Sequence, residues 1–404
     1  MSASAFVGRF PMSMMGLALT LLVVAETGSY ATAGAVVAAS TLSGAVGGPL
    51  GARLADRVGQ HRAIPPLVGA HILTVAALTA AVLAGTPTAL WLALAALAGL
   101  TGPNLGAMVR SRWAGVAQDP QELSSAFAFE SMLDEVAFVL GPPLATALAV
   151  GIAPSSAIAA GLLMTASGSL TLAALRRTQP APTARAGRAG PPIWRSGALR
   201  TLTLLMALMG AVFGAVEVAT VAFAQERAVV PATGLLLGSF ALGSGLTGLY
   251  LGTRTGGNWR LSSQILVGGV ILASATALMP TIDGPRAFAL GIFTAGLGVS
   301  AVLIGVLQII ERAMPRARLT ESLAVAISGI QVGFAGAAAA AGALIDTGGS
   351  AFGLTLAAAA AVAGAALAGL ARRRLAQAEA LPEPTVQPGG SEDDRPGAVT
   401  DAAT

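Results

Sequence analysis

Runs of about twenty apolar residues recur along nearly the whole chain, and that feature decides most of what it can fold into. At ~1.5 Å rise per residue, ~20 residues cross a ~30 Å hydrocarbon core, so each run reads as a transmembrane helix. Residues 10–25, 31–51, 64–85 and 88–109 are the first four. Only 10% of the 404 residues are charged, against about 25% in a soluble domain. Too little polar surface remains to clothe a water-soluble body. Fifty-one glycines and abundant alanine suit close helix packing in lipid. The alternating ten-residue strands of a membrane barrel are not seen. The expected fold class is an all-α polytopic membrane protein.

Twelve spans are read, at roughly 10–27, 31–54, 64–85, 88–111, 120–150, 154–175, 199–224, 231–253, 262–280, 286–312, 319–345 and 351–371. Short turns such as TGSYAT, GTPT, GIAPSS, TIDGP and DTGGS join several of them. All 23 basic residues are Arg. With the N-terminus in the cytoplasm, 21 of them fall inside and only Arg227 and Arg286 outside. The positive-inside rule favours that orientation, which puts both termini in the cytoplasm of a cell (inner) membrane. The N-terminal apolar run reads as the first span rather than a cleaved signal, because further spans follow in consistent topology.

The stretch RRTQPAPTARAGRAGPPIWRSGA, 176–198, is too rich in Pro, Gly and Arg to span. It divides the chain into an N-terminal six-helix half (1–175), a cytoplasmic linker (176–198) and a C-terminal six-helix half (199–372). The polar residues 373–404 read as a disordered cytoplasmic tail. A shift of 200 residues aligns Gly34 with Gly234, Gly48 with Gly248 and Ala52 with Gly252, a weak internal repeat of the kind parallel transporter halves show. With no cysteine there is no disulfide framework or thiolate metal site. Only His61 and His71 offer imidazole, so neither a metal nor another cofactor is expected. The basic residues are spread through short loops, which argues against nucleic acid despite the basic balance. Intramembrane enzyme chemistry is disfavoured, since no nucleophile–base constellation is found.

Residues 51–62 read GARLADRVGQHR, between the second and third spans. This resembles the loop signature of the major facilitator superfamily, Gly-x-Leu-Ala-Asp-Arg-x-Gly-Arg-Arg. Leu54, Ala55, Asp56, Arg57, Gly59 and Arg62 match, while Ala52 and Gln60 depart. The resemblance implies twelve spans in two pseudo-symmetric halves and alternating-access transport, with a monomer as the default. It also implies that Asp56, Arg57 and Arg62 latch the halves in the outward-facing state. Arg110 or Arg112 is the expected partner of Asp56. The corresponding loop of the second half, GTRTGGNWR, has Gly256 where Asp56 would map. A topology signal plus a helix cap would account for Arg57 and Arg62 equally well.

The fifth span carries FESMLDEVAFVLGPPLA, 129–145, with three acids in an apolar run. Asp119, Pro120 and Glu122 read as a helix start, so Glu130 lies ~15 Å along and Asp134 and Glu135 ~21–23 Å along. A charge there costs at least ~2.5 kcal/mol and normally faces a partner or a watery cavity. Burial favours the neutral form, so such a group can load and release a proton. Helical period puts Asp134 about 40° from Glu130 and Glu135 about 140° away, with Gly141 about 20° from Asp134. LGPPLA resembles in part, at Gly141 and Pro142, the Gly-Pro motif of facilitator antiporters. In that family the motif packs between the halves, which would turn Asp134 and Glu130 to the central path and Glu135 elsewhere. Asp134 is the expected proton carrier, Glu130 the second choice and Glu135 the third. The competing reading is that these acids pair with Arg to lock helices together.

Glu217, Asn104 and Gln331 are candidates for the substrate path, as is Gln308. Glu26 and Arg9 read as interfacial, and His71 as a bonded structural residue. The expected function is proton-driven export of a small organic molecule such as a drug, sugar or metabolite. The alternatives are a proton-linked importer or facilitator, which the 4% aromatic content argues against mildly, and a non-transporting membrane sensor. The expected partners are the small-molecule substrate, protons and the lipid bilayer.

Overall fold

The computed structural model describes residues 1–180, 196–253, 260–314 and 316–379. Among them, twelve helices are long and apolar enough to cross a membrane. Spans one to six are Ser2–Thr27, Tyr30–Val58, Gln60–Leu83, Thr88–Val116, Gln121–Gly151 and Ser156–Ala174. Spans seven to twelve are Gly197–Glu226, Val230–Thr253, Leu261–Thr281, Pro285–Ala313, Glu321–Gly348 and Ser350–Leu370. Most of the linker and residues 380–404 lie outside the described residues. The first residues of the expected disordered tail instead form a helix, Arg372–Glu379. Its Glu379 accepts from the backbone N–H of Leu261 at 2.7 Å, so the helix is tied down by capping span nine.

Two spans are broken where their sequences dictate. Span one begins eight residues earlier than the hydropathy suggested and tightens to a 3₁₀ turn at Phe10–Ser13, around Pro11. Proline lacks the N–H that would continue the α-helical ladder. Span four stops at Thr101 and restarts at Leu105, across Gly102 and Pro103. Asn104 caps the restart by accepting the N–H of Ala107 at 3.1 Å.

Odd spans start, and even spans end, at one end of the bundle, which holds most of the arginines and is called here the basic end. At the opposite end the two halves meet. Span eleven packs along span seven and also on span two, and span five packs on span eight. The backbones touch there: a Cβ added to Gly34 would lie 2.3 Å from Ala338 O, and one added to Gly234 would lie 2.2 Å from Pro142 O. Asp346 fastens the seam. Its carboxylate accepts from Tyr30 N at 2.8 Å, Ala31 N at 3.1 Å and Ser29 Oγ at 2.8 Å, at the N-terminus of span two. An acid at a helix N-terminus satisfies free N–H groups and complements the helix dipole. Toward the basic end, Val46 and Leu50 of span two, Leu249 of span eight and Ile327 of span eleven are exposed. The backbone contacts draw the halves together at the end away from the arginines.

Candidate functional site

The kink at Pro11 presents Arg9, seven residues inside span one, to span five. Arg9 is not an interfacial anchor: its side chain is only 4% exposed and sits between two of the span-five acids. Nη2 donates to Glu130 Oε2 at 2.6 Å, and Nε lies 3.1 Å from Asp134 Oδ1. From the restarted half of span four, Arg110 Nη2 donates to Asp134 Oδ2 at 2.9 Å. Trp113 Nε1, one turn further on, donates to Glu130 Oε1 at 3.0 Å. Gly106 leaves room for this crowding, since an added Cβ would lie 3.3 Å from Arg110 Nη1 and 3.9 Å from Arg9 Nη1.

The two acids therefore differ in kind. Glu130 is wholly buried, and its pair with Arg9 joins spans one and five. Asp134 is 22% exposed, and Arg110, at 34%, is the more open of its two arginines. With all four groups ionised the cluster is neutral. One proton on Asp134 makes it +1 and takes from Arg110 the one acid it pairs with among the described residues. The arrangement can thus convert a protonation into a change of ion pairing between spans four and five.

The third acid lies elsewhere. A Cβ added to Gly245 on span eight would be 3.5 Å from Glu135 Oε2, so Glu135 faces the other half rather than turning away from the seam. Gly141 corrects the same expectation from the opposite side. It packs on Ser13 of span one, whose Oγ would lie 2.0 Å from an added Cβ. Pro142 and Pro143 make the contact between halves, against Gly234.

Asp56, Arg57 and Arg62 are exposed, and neither expected partner of Asp56 is free for it. Arg110 is committed to Asp134. Arg112 is completely buried, its Nε donating to Gln60 Oε1 at 2.7 Å and its Nη1 and Nη2 to the carbonyls of Leu175 and Leu172 at 2.6 and 2.9 Å. A cation on the last carbonyls of span six is favourable, and this one clamps spans three, four and six of a single half. Gln60, one of the two departures from the loop signature, completes the clamp by donating to Met108 O at 3.1 Å. Gly59 holds φ at +88°, a left-handed value that suits glycine, and starts span three.

Of the path candidates, Asn104 is the exposed cap already described, and Gln331 is partly buried on span eleven. Gln308 is exposed on span ten. Glu217 on span seven faces span one, with its Oε1 2.7 Å from a Cβ placed on Gly16. His71 bonds Ala98 O at 2.9 Å, joining spans three and four. Among the described residues no group of three His, Cys, Asp or Glu side chains is placed to hold a metal. The sequence reading missed Arg9, Trp113, Gln60 and Asp346. Arg9 could have been found from SASAFVGRF, which carries a single charge and extends the first apolar run by two turns.

The fold and the family agree. The structure is similar to that of a human organic anion transporter, MFSD10 (TETRAN), at 16% identity and a TM-score of 0.64, covering 91% of this chain and 98% of that one. It is similar to a nucleoside transporter, NupG, at 11% identity and a TM-score of 0.68, covering 93% and 98%. A bacterial homologue of the iron transporter ferroportin, in an inward-facing state, matches at 16% identity and a TM-score of 0.67, covering 93% and 97%. At these identities the likeness is one of fold. No curated protein matches the sequence. The sequence model of the Major Facilitator Superfamily matches residues 1–252, more than half of the chain. The chain therefore belongs to the major facilitator superfamily, polytopic secondary transporters of small solutes rather than enzymes.

Proposed function

We propose that the protein is a proton-coupled antiporter of the cell (inner) membrane that exports a small organic molecule by alternating access. The observation that carries the reading is the shared carboxylate of Asp134, partly exposed and held by both Arg9 and Arg110. A proton there alters ion pairing at depth in the membrane, and a bistable pair of halves can read that alteration. Glu130, wholly buried in its pair with Arg9, serves as the fixed element against which Asp134 changes. Export rather than uptake is supported by Gly141 and Pro142 of the antiporter-like motif and by the low aromatic content. The arginine bias supports a cytoplasmic basic end, and with it cytoplasmic termini. The backbone contacts between the halves at the opposite end support reading this conformation as the cytoplasm-facing one. Asp56, Arg57 and Arg62 make no ion pair among the described residues, which fits a latch that forms in the opposite state. Both halves sit in one chain, and the working unit is a monomer.

The test is a panel of toxic compounds applied to an efflux-deficient bacterium, with proton flux followed in proteoliposomes. Wild type is expected to raise tolerance to some compounds and to exchange them for protons. Asp134→Asn, at equal expression, is expected to lose both. Equal protection by the variant would remove Asp134 from the coupling. Absence of protection together with absence of solute-linked proton flux would overturn the exporter reading.

A further inference from the structure

We infer that Glu217 is the counter-charge for the transported solute, and that the solute is a lipophilic organic cation. This rests on the exporter reading and names its substrate class. The charges of the membrane-embedded acids point to it. Glu130 and Asp134 are compensated by Arg9 and Arg110. Glu217 has no described ion pair, and its Oε1 is sealed from solvent without a hydrogen-bond partner. Such a group in a membrane is costly until a proton or another cation neutralises it.

Among the described residues no cation is paired with it: Arg200 of its own span, Arg53 and Arg57 of span two and Arg318 before span eleven all lie at the basic end. Gly16, which it faces, lies two turns from Arg9, and Arg9 is committed to span five. Glu26, Tyr30 and Asp346, on the other spans packed against it, lie at the closed end, and Asp346 is occupied at the N-terminus of span two. Spans eight and twelve carry no charged residue among those described, and the charged residues of span ten are at its ends. Along the helix Glu217 is nine residues from Glu226, the end of its span, about 13 Å of rise.

The neighbouring side chains suit an organic cation. Phe213, one turn toward the basic end, lies on the same face of span seven. It meets Phe240 of span eight edge-on, ring centroids 5.9 Å apart, and both rings are only partly buried. A carboxylate beside aromatic faces attracts cations of delocalised or alkylated charge. Glu135, facing span eight from the other half, adds a second acid without a described ion pair. An anion would meet repulsion from Glu217, whereas a cation can replace the proton that otherwise neutralises it. Gly16 on one half and Glu217 on the other place the solute where both halves touch it, so its binding biases their arrangement. Protons and solute compete for the same carboxylate.

The test compares two probes of nearly one shape and opposite charge, tetraphenylphosphonium and tetraphenylborate, binding to the purified full chain across a pH series. Wild type is expected to prefer the phosphonium. Its affinity should weaken up to about tenfold per pH unit once Glu217 takes a proton, as one-site competition requires. Glu217→Gln should weaken binding at least tenfold and flatten the pH dependence, while Glu217→Asp restores it. Preference for the borate, or unchanged phosphonium binding in Glu217→Gln, would overturn the assignment. Phosphonium binding in competition with protons, but without transport under an imposed pH gradient, would sink the exporter reading and leave this site standing. Gradient-driven transport of an anionic or neutral solute, unimpaired in Glu217→Gln, would do the reverse.

Discussion

Removing the carboxylate of Asp346 should open the sealed end of the molecule. The side chain is exposed and makes three hydrogen bonds across the halves, two of them to backbone N–H groups at the start of span two. Water can replace each partner, so the loss is that of a helix cap rather than of a buried network. A capping acid is worth about 1 kcal/mol over alanine, and its interaction with the helix dipole adds about 0.3–1 kcal/mol. The sum, about 1–2 kcal/mol, shifts a two-state equilibrium roughly 5- to 30-fold. Because the chain has no cysteine, spin labels can be placed without removing native ones. Thr88→Cys and Thr281→Cys put labels on exposed positions of opposite halves at the closed end. Double electron–electron resonance should then show a longer-distance population in Asp346→Ala that is minor in the parent. Asp346→Asn, which keeps one acceptor oxygen but loses the other and the charge, should give a smaller gain. Distance distributions identical in parent and Asp346→Ala would refute the idea that this carboxylate holds the seam.

Three further perturbations probe the rest of the structure. Glu130→Gln leaves Arg9 buried with half its compensation and should destabilise the protein by about 3 kcal/mol, whereas Arg9→Gln with Glu130→Gln should recover most of that; thermal unfolding in detergent reads both, and additive losses would contradict a paired cluster. Gly16→Val puts side-chain atoms where the Glu217 carboxylate rests, and the carboxylate, the flexible end of its side chain, must move aside. The variant should fold normally and lose solute binding, and normal binding would show that this spot is not used. Arg112→Ala empties a fully buried guanidinium site and strands the Leu172 and Leu175 carbonyls, so a loss of at least about 3 kcal/mol is expected by denaturant titration. A loss under 1 kcal/mol would mean the clamp is ornamental.

The spans were legible because a bilayer leaves the backbone few options: a chain must satisfy its own N–H and C=O groups, and a long apolar run does so as a helix. The site was legible only in part. Helical period correctly put Gly141 and Asp134 on one face of span five, since both turn toward span one. Period alone does not say which neighbour that face meets, so the face was assigned to the seam when it belongs to the interior of one half. The same error turned Glu135 away from span eight. Arg9 was hidden because a charge near an apolar run looks like its boundary. Only the two acids 121 and 125 residues later make it affordable inside the membrane. Asp346 sat in a turn-like DTGGS, where its partner, the start of span two, is remote in sequence.

The glycines at the seam bear on how the halves move. At Gly34 against Ala338, Gly342 against Tyr30 and Gly234 against Pro142, main chain rests on main chain with no long side chain between. Interdigitated leucines would have to change rotamer, row by row, for the halves to tilt. Smooth backbone surfaces can instead roll over one another like a plain bearing, with few discrete barriers along the way. The rate of exchange between states should then depend weakly on temperature for a motion of this size. Placing a single bulky residue at one of these three glycines should wedge the closed end apart and disfavour the state described here, because even a Cβ would lie 2.1–2.3 Å from the facing backbone.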